Sequence, residues 1–350
     1  MTIDELKNKN IHIVGITGAE GSAIVKFLCA QGMSNITGHD FCSQEEAHNS
    51  FNRFHDDLTD EEKQKEFTLL MQVPVNFFFR DRYLEGIKKA DLIFVPQSWF
   101  RYQENSVLKK LVGRIEFSNI TKLYFDLAPC SIIGVTGTSG KSTTTKMLYE
   151  ILKRSSRRIY FSGNDRQNIQ ILSNFDEIKP ADCILLEISN RQLAINIGKS
   201  PAIAVLTNIS PNHLDDHADY QDYIANKRKI FAWQGSSDKA VINYDSPDAK
   251  KLGDNLPATV YYFSCHTSLA KGAFLDKRNL VIADSGRQYH ICSIDELKVP
   301  GPHNIANALA ASLAAFVFGV GTKIIREGIT NFVGLAKRLE FIREVGGVKF

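Results

Sequence analysis

The stretch GVTGTSGKSTTT, Gly134 to Thr145, is the place where this sequence is most clearly built for chemistry. Its glycines let a backbone come close to phosphate oxygens, and successive N–H groups can then point at an anion. Gly137, Thr138, Ser139, Gly140 and Thr143 are the candidates for that cradle. Lys141 supplies positive charge for β- and γ-phosphates, and Ser142 a hydroxyl for Mg²⁺. The common spacing Gly-x4-Gly-Lys-Ser/Thr is not met strictly, because position 135 is Val. The plain alternative is a glycine-rich turn with an incidental lysine; Gly-Lys-Ser-Thr directly after an apolar run argues against it.

Three further residues could join that loop. Glu187 ends the apolar run CILLE, where a strand-tip acid can bind Mg²⁺ directly or through water. His213 follows the run AIAVLTN, and Lys227 lies on a helix beyond it. Taken alone, Glu187 is an exposed strand end, His213 a loop residue and Lys227 a solvated charge. A second glycine set, Gly15, Gly18 and Gly21, also follows a strand but lacks the GxGxxG pattern. It reads either as a tight turn or as a helix N-terminus meeting a nucleotide diphosphate, with Thr17 and Gly18 in the turn. Asp40 ends the next strand, where a ribose or base contact is possible.

The elements that must hold these residues alternate strand and helix. IHIVG, the helix Ala23 to Ala30 and a strand ending at Asp40 make a βαβ opening. Residues 43–72 are polar, helical on either side of Leu58-Thr59-Asp60, and read as a surface excursion. DLIFVP (91–96) is another buried strand. A second unit begins near Pro129, with strands at 131–135, 158–161, 183–188 and 202–207, and a helix at 222–231. Their continuous apolar character predicts a parallel sheet covered on both faces. A more alternating section (240–243, 260–264, 280–283, 289–294) predicts further strands, antiparallel in pattern, before helices near 303–318 and 323–332. The expected class is α/β: a Rossmann-like domain over 1–128, a P-loop ATPase-type central domain with a mainly parallel sheet over 129–334, and the start of a C-terminal domain over 335–350. The ending GGVKF reads as an opening strand, so most of that last domain is expected to be missing.

Composition sets limits. The chain of 350 residues is 43% apolar and 23% charged, ordinary globular values. A formal charge of +3 without a Lys/Arg run gives no nucleic-acid footprint. Six cysteines without a CxxC pair favour reduced thiols, as in a cytoplasmic protein. No apolar run reaches the ~18 residues of a membrane helix.

Five blocks then carry a resemblance. GVTGTSGKSTT, LLEISNRQL, NISPNHLDDHADYQDYIANKRKIF, PGPHNIANALAA and FVGLAKRLEFIREVGGVKF resemble, in order and spacing, the Mur ligase family. That family builds the peptidoglycan stem peptide in the bacterial cytoplasm. LEISNRQL and FVGLAKRLE look most like the member that adds D-glutamate to UDP-N-acetylmuramoyl-L-alanine. The resemblance implies ATP and two Mg²⁺ ions as cofactors, a UDP-linked muramoyl substrate and an amino acid as partners, and a monomer. It implies that Lys141 binds the ATP phosphates, that Ser142 and Glu187 serve one metal, and that His213 serves the second. Lys227 matches a lysine that the family carbamylates, which turns an ammonium into a metal-ligating carboxylate. Asn304 and Asn307 match residues near adenine, and otherwise read as helix caps. Arg338 matches a residue that reaches the ATP phosphates; Asn164 and Ser189 match positions near the muramoyl substrate. The implied reaction is attack of a carboxylate on the γ-phosphate, then of an amine on the acyl phosphate.

Departures cluster on the nucleotide-sugar side. SGNDRQN stands where the family has a GGNIG-like block, and Asn190-Arg191 replace Ser-Phe. Lys337 replaces a His, and VPQSWFRYQ (95–103) replaces an SPG-type turn. Two alternatives follow: another amino-acid ligase of the superfamily, or a non-catalytic nucleotide-binding relative. The trio Glu187, His213 and Lys227 speaks against the second, since a switch needs no second metal.

Overall fold

The computed structural model describes residues 1–163, 171–212, 214–335, 344–345 and 348–349. Two compact units emerge: Met1–Pro129 with Ser162–Lys179 and Arg191–Lys199, and Cys130–Phe161 with Pro180–Asn190 and Ser200–Phe350. The sequence pattern placed 162–179 and 191–199 in the central domain. They cluster with the first unit because Phe175 packs edge-on against Phe27 at 5.4 Å and Asn119 Nδ2 donates to the Gln192 carbonyl at 3.0 Å.

The first unit carries a five-stranded sheet in the order β3-β2-β1-β4-β5. Its strands are β1 (Ile11–Val14), β2 (Ile36–Asp40), β3 (Asn76–Phe79), β4 (Leu92–Phe94) and β5 (Glu116–Ser118). Every pairing is parallel. The order reverses at β1, so a crevice opens at the carboxyl ends of β1 and β4. Strands β3 and β5 escaped the sequence pattern: both are edge strands of four and three residues without a fully buried run. The helices Ala47–Phe54 and Asp60–Gln72 fall where expected, the second opened by a Thr59–Glu62 capping box. The first is no free excursion. It buries Ala47 and Phe51, and hands Ser50 and His55 to the glycine turn.

The second unit carries a nine-stranded sheet in the order β14-β13-β12-β11-β10-β9-β6-β8-β7. Its strands are β6 (Ser131–Thr136), β7 (Ile159–Ser162), β8 (Cys183–Glu187), β9 (Ile203–Leu206), β10 (Lys239–Asn243), β11 (Thr259–Ser264), β12 (Gly272–Asp276), β13 (Asn279–Asp284) and β14 (Arg287–Ser293). β10 and β11 are parallel, against the antiparallel pattern expected of the section, while β12–β13 and β13–β14 run antiparallel. β10 reads as a buried core strand, and the helix Pro247–Gly253 gives the crossover that a parallel neighbour needs. β12 was hidden by Gly272, where φ is +139° and an added Cβ would sit 2.0 Å from the Tyr262 carbonyl oxygen. The helices Lys141–Leu152, Pro302–Val317 and Thr322–Thr330 cover the sheet and share its main core with Val135, Leu185 and Val205. Gly328 lets the last helix close on Ile151, whose Cα lies 2.6 Å from where a Cβ would stand. Among the described residues no helix is long and apolar enough to cross a membrane.

Candidate active site

β6 runs into the turn 137–140 and then the helix Lys141–Leu152, so the cradle lies at the carboxyl tip of a strand flanked by β8 and β9. Gly137 (φ +150°) and Gly140 (φ +82°) hold backbone shapes that side chains resist. Space is equally restrictive. A Cβ on Gly137 would lie 1.9 Å from Thr207 Oγ1, and one on Gly140 2.4 Å from Asn307 Oδ1.

The turn is tied to the segment after β9. Thr138 N–H donates to the Asn208 carbonyl (2.9 Å), and Ser139 N–H to Asn208 Oδ1 (3.0 Å). Thr207 Oγ1 donates to the Ser139 carbonyl at 2.6 Å. Thr138 Oγ1 lies 2.8 Å from the Tyr223 hydroxyl and accepts Ser210 N–H. Lys141 Nζ arches over the turn and donates to the carbonyls of Gly137 and Thr138, 3.0 Å each. Ser142 Oγ donates to Glu187 Oε1 at 3.0 Å, and Glu187 is buried at the tip of β8. Hydroxyl and carboxylate side by side are the oxygen donors a hard divalent cation takes. Among the described residues no group of three or more His, Cys, Asp or Glu converges.

Lys227 is the unusual member. It is 1% exposed on the helix Tyr220–Arg228, its Nζ 4.9 Å from the Tyr223 ring centroid. Burial, and then the Lys141 charge, pull its amine down to about 7. A buried ammonium costs far more than a buried amine, so much of this side chain is a neutral nucleophile near neutral pH.

Beside the turn lies a cavity of about 380 Å³ lined by Thr143, Asn208, Phe263, His303, Asn304 and Asn307, among others. Asn307 Oδ1 accepts from Thr144 Oγ1 (3.2 Å), Asn307 Nδ2 donates to Asn304 Oδ1 (3.1 Å), and Asn304 Nδ2 to the Pro300 carbonyl (2.7 Å). The helix-cap alternative for these asparagines is not what they do: Gly301, not an asparagine, is the N-cap of Pro302–Val317. Ser189 is half-buried two residues past Glu187. Beside it, Asn190 Nδ2 lies 3.0 Å from His217 Nε2, and His217 Nδ1 2.9 Å from Asp222.

In the first unit, Thr17 N–H and Oγ1 donate to Asp40 Oδ2 at 3.0 and 2.8 Å. Thr17 Oγ1 lies 2.8 Å from Ser50 Oγ, and Ser22 Oγ 3.2 Å from His55 Nε2. Gly18 is the N-cap of the helix Ala19–Ala30, with no side-chain cap bond. His213, Asn164 and Arg338 lie outside the described residues.

Thr207, Asn208 and Tyr223 were missed by sequence reasoning. The block NISPNH pointed to their neighbourhood, but their contacts depend on β9 lying beside β6, which no local pattern encodes.

Residues 135–315 match the Mur ligase middle domain. The chain is 32% identical over 346 residues to the UDP-N-acetylmuramoylalanine--D-glutamate ligase of Acetivibrio thermocellus, covering 99% of this chain and 69% of that one. It belongs to the Mur ligase family. The counterpart in Ruminiclostridium cellulolyticum is 30% identical over 346 residues, covering 99% and 70%. As a Mur ligase the chain is an ATP-dependent, amide-forming enzyme of peptidoglycan precursor synthesis. The fold is shared with the UDP-N-acetylmuramate:L-alanyl-gamma-D-glutamyl-meso-diaminopimelate ligase of Neisseria meningitides, at a TM-score of 0.58 and 16% identity over 94% of this chain and 99% of that one. It is shared too with the UDP-N-acetylmuramate-alanine ligase of Thermotoga maritima, at 0.54 and 18% over 97% and 72%. This Mur ligase thus has the Rossmann-like and P-loop-type α/β units its sequence pattern called for.

Proposed function

We propose that this Mur ligase adds D-glutamate to UDP-N-acetylmuramoyl-L-alanine through an acyl phosphate. The observation that carries the reading is the cluster at the strand tips: Lys141 over the turn, the Ser142–Glu187 pair, and buried Lys227 close enough for its amine to feel the Lys141 charge. The 1–128 region takes the UDP-linked substrate at the turn of Thr17 and Gly18, with Asp40 holding that turn in place. The 129–334 region takes ATP, its adenine in the cavity beside Asn304 and Asn307. Arg338 would serve the phosphates, as the family resemblance implies.

The chain's own residues divide the work. Turn amides and Lys141 hold the β- and γ-phosphates and stabilise charge as the substrate carboxylate attacks in line. Phosphorus gains that carboxylate oxygen and loses ADP. The amine then attacks the acyl carbon, expels phosphate and gives up a proton. Ser142 and Glu187 would hold one Mg²⁺, which supplies charge neutralisation and orientation when bound. Lys227 supports a second site in a modified form. Its neutral amine adds to CO₂, releases one proton and leaves a carbamate whose oxygens, with His213, would ligate a metal. Asn164 and Ser189 would contact the muramoyl moiety, as the family resemblance implies. The protein works as a cytoplasmic monomer.

A phosphate-release assay with UDP-N-acetylmuramoyl-L-alanine and a panel of D- and L-amino acids tests this. Release with D-glutamate is expected. Release with an L-amino acid and none with D-glutamate overturns the assignment.

A further inference from the structure

We propose that Phe41 and Tyr102 form the platform on which the base of the nucleotide-linked substrate stacks. This rests on the reading that the first unit takes such a substrate, and it names the side chains that recognise the base.

The placement comes from topology. Phe41 directly follows β2, and Tyr102 lies in the segment after β4. β2 and β4 are the two neighbours of β1. Yet the two rings meet, with centroids 5.2 Å apart and planes at 36°. The pair therefore bridges across the carboxyl end of β1, where the strand order reverses and the helix Ala19–Ala30 begins. Pro96, at the start of the same segment, closes on Gly15: a Cβ there would lie 3.3 Å from Pro96 Cγ.

Both rings are 40% exposed, but they are held as if to keep a shape. Tyr83 stands edge-on to Phe41 at 6.1 Å. Its hydroxyl donates to Asn105 Oδ1 at 2.5 Å, and Asn105 Nδ2 donates to the Trp99 carbonyl at 2.7 Å. Asn105 is 2% exposed, so a buried amide pins the backbone on both sides of Tyr102. A rigid, solvent-facing aromatic surface at a crevice is what a planar heterocycle stacks on, whatever its edge pattern.

The polar alternative is already committed. The Asp40 carboxylate accepts Thr17 N–H and Oγ1–H on one oxygen and Cys42 N–H, at 3.3 Å, on the other. Turning it toward a base would release the glycine turn. Asp40 thus clamps the turn and leaves the base to the aromatic pair.

The test measures binding of UDP, inorganic pyrophosphate and ATP to the full chain by calorimetry. Phe41→Ala, Tyr102→Ala and the conservative Phe41→Tyr are compared with the parent. Each alanine variant should weaken UDP about ten-fold or more, leave pyrophosphate and ATP as in the parent, and Phe41→Tyr should restore UDP binding. Parent-like UDP binding by both alanine variants overturns the platform while the nucleotide-substrate reading stands. Equal loss of UDP and pyrophosphate also overturns it, since the turn and not the base contact is then damaged. If the parent binds UDP no better than pyrophosphate, both readings fall.

Discussion

The chain uses the glycine-rich strand–helix turn twice and equips the two copies differently. Around Gly15–Gly21 the side-chain hydroxyls face inward: Thr17 bonds Asp40 and Ser50, and Ser22 approaches His55. Around Gly137–Gly140 the hydroxyls divide: Thr138 bonds Tyr223 and Ser210, Ser142 reaches Glu187, and Lys141 arches over the turn. In the first turn the Gly15, Ile16, Thr17 and Gly18 amides donate inside the unit, so the helix Ala19–Ala30 meets an anion with its own first turn and without a lysine from the loop. The second adds a positive charge and oxygen donors for a cation, which phosphoryl transfer requires. The shape is shared; the chemistry comes from what neighbouring strands bring to it.

Lys141→Ala should separate the two turns most sharply. It should lower turnover about 10²–10³-fold, the usual cost of one lost electrostatic contact to a transition state, and leave UDP binding alone. Steady-state kinetics beside calorimetry would show whether both turns weaken together, which would erase the distinction.

Lys227 comes next. Its amine sits near 7, so CO₂ addition gains as pH rises through that value and fails below it, where the ammonium dominates. At neutral pH, turnover should fall when dissolved CO₂ is stripped and recover with bicarbonate. A ¹³C carbamate resonance should appear in the parent and vanish in Lys227→Arg. Activity indifferent to CO₂ would remove the modified lysine from the scheme.

Glycine substitutions extend the comparison to the backbone. Gly137→Ala meets both a positive φ and Thr207, and should cost about 1–3 kcal/mol of stability along with ATP binding. Gly21→Ala places a Cβ 2.2 Å from the Gly15 carbonyl oxygen, and should instead hurt UDP binding and spare ATP. Chemical denaturation with both ligands reads each arm.

Acid distinguishes the units as well. Among the described residues the buried histidines, His12, His39 and His55, all lie in the first unit. His12 Nδ1 and His39 Nε2 are 2.8 Å apart. Burial drops His12 to about 4, and burial together with the His12 charge drops His39 to about 3. The unfolded chain therefore binds protons more tightly between those values and 6.5. Stability is full above about pH 6.5 and drains as pH falls toward 4. Thermal melts should lose on the order of 5 kcal/mol between about pH 7 and about pH 4.5, with proteolysis opening the first unit earlier. The smallest effect should come from Asn307→Ala, which frees Thr144 and Asn304 and raises the KM for ATP about ten-fold, with kcat little changed.

Much of this was legible in the sequence, and the illegible part has a physical cause. The Gly-Lys-Ser cradle, the buried β6, β8 and β9, and Glu187 at a strand tip follow from local pattern. β10 and β11 misled because strand direction is set by the helix between them and the neighbour it reaches, not by alternation. β3, β5 and β12 lacked a continuous apolar run. Asp40 was placed correctly at its strand end, but its orientation was beyond reach, since the Thr17 amide and hydroxyl that capture it belong to another strand's turn. Lys227 looked like a surface charge until the fold buried it.

The hydrogen bonds from the turn to Asn208 carry a further consequence for the chain as the ribosome makes it. The glycine loop leaves the exit tunnel well before β9 does, and until β9 docks, the loop has no Thr207 or Asn208 to hold its shape. A nascent or half-assembled molecule therefore has no organised site in which to squander nucleotide. The organised turn arrives together with β9.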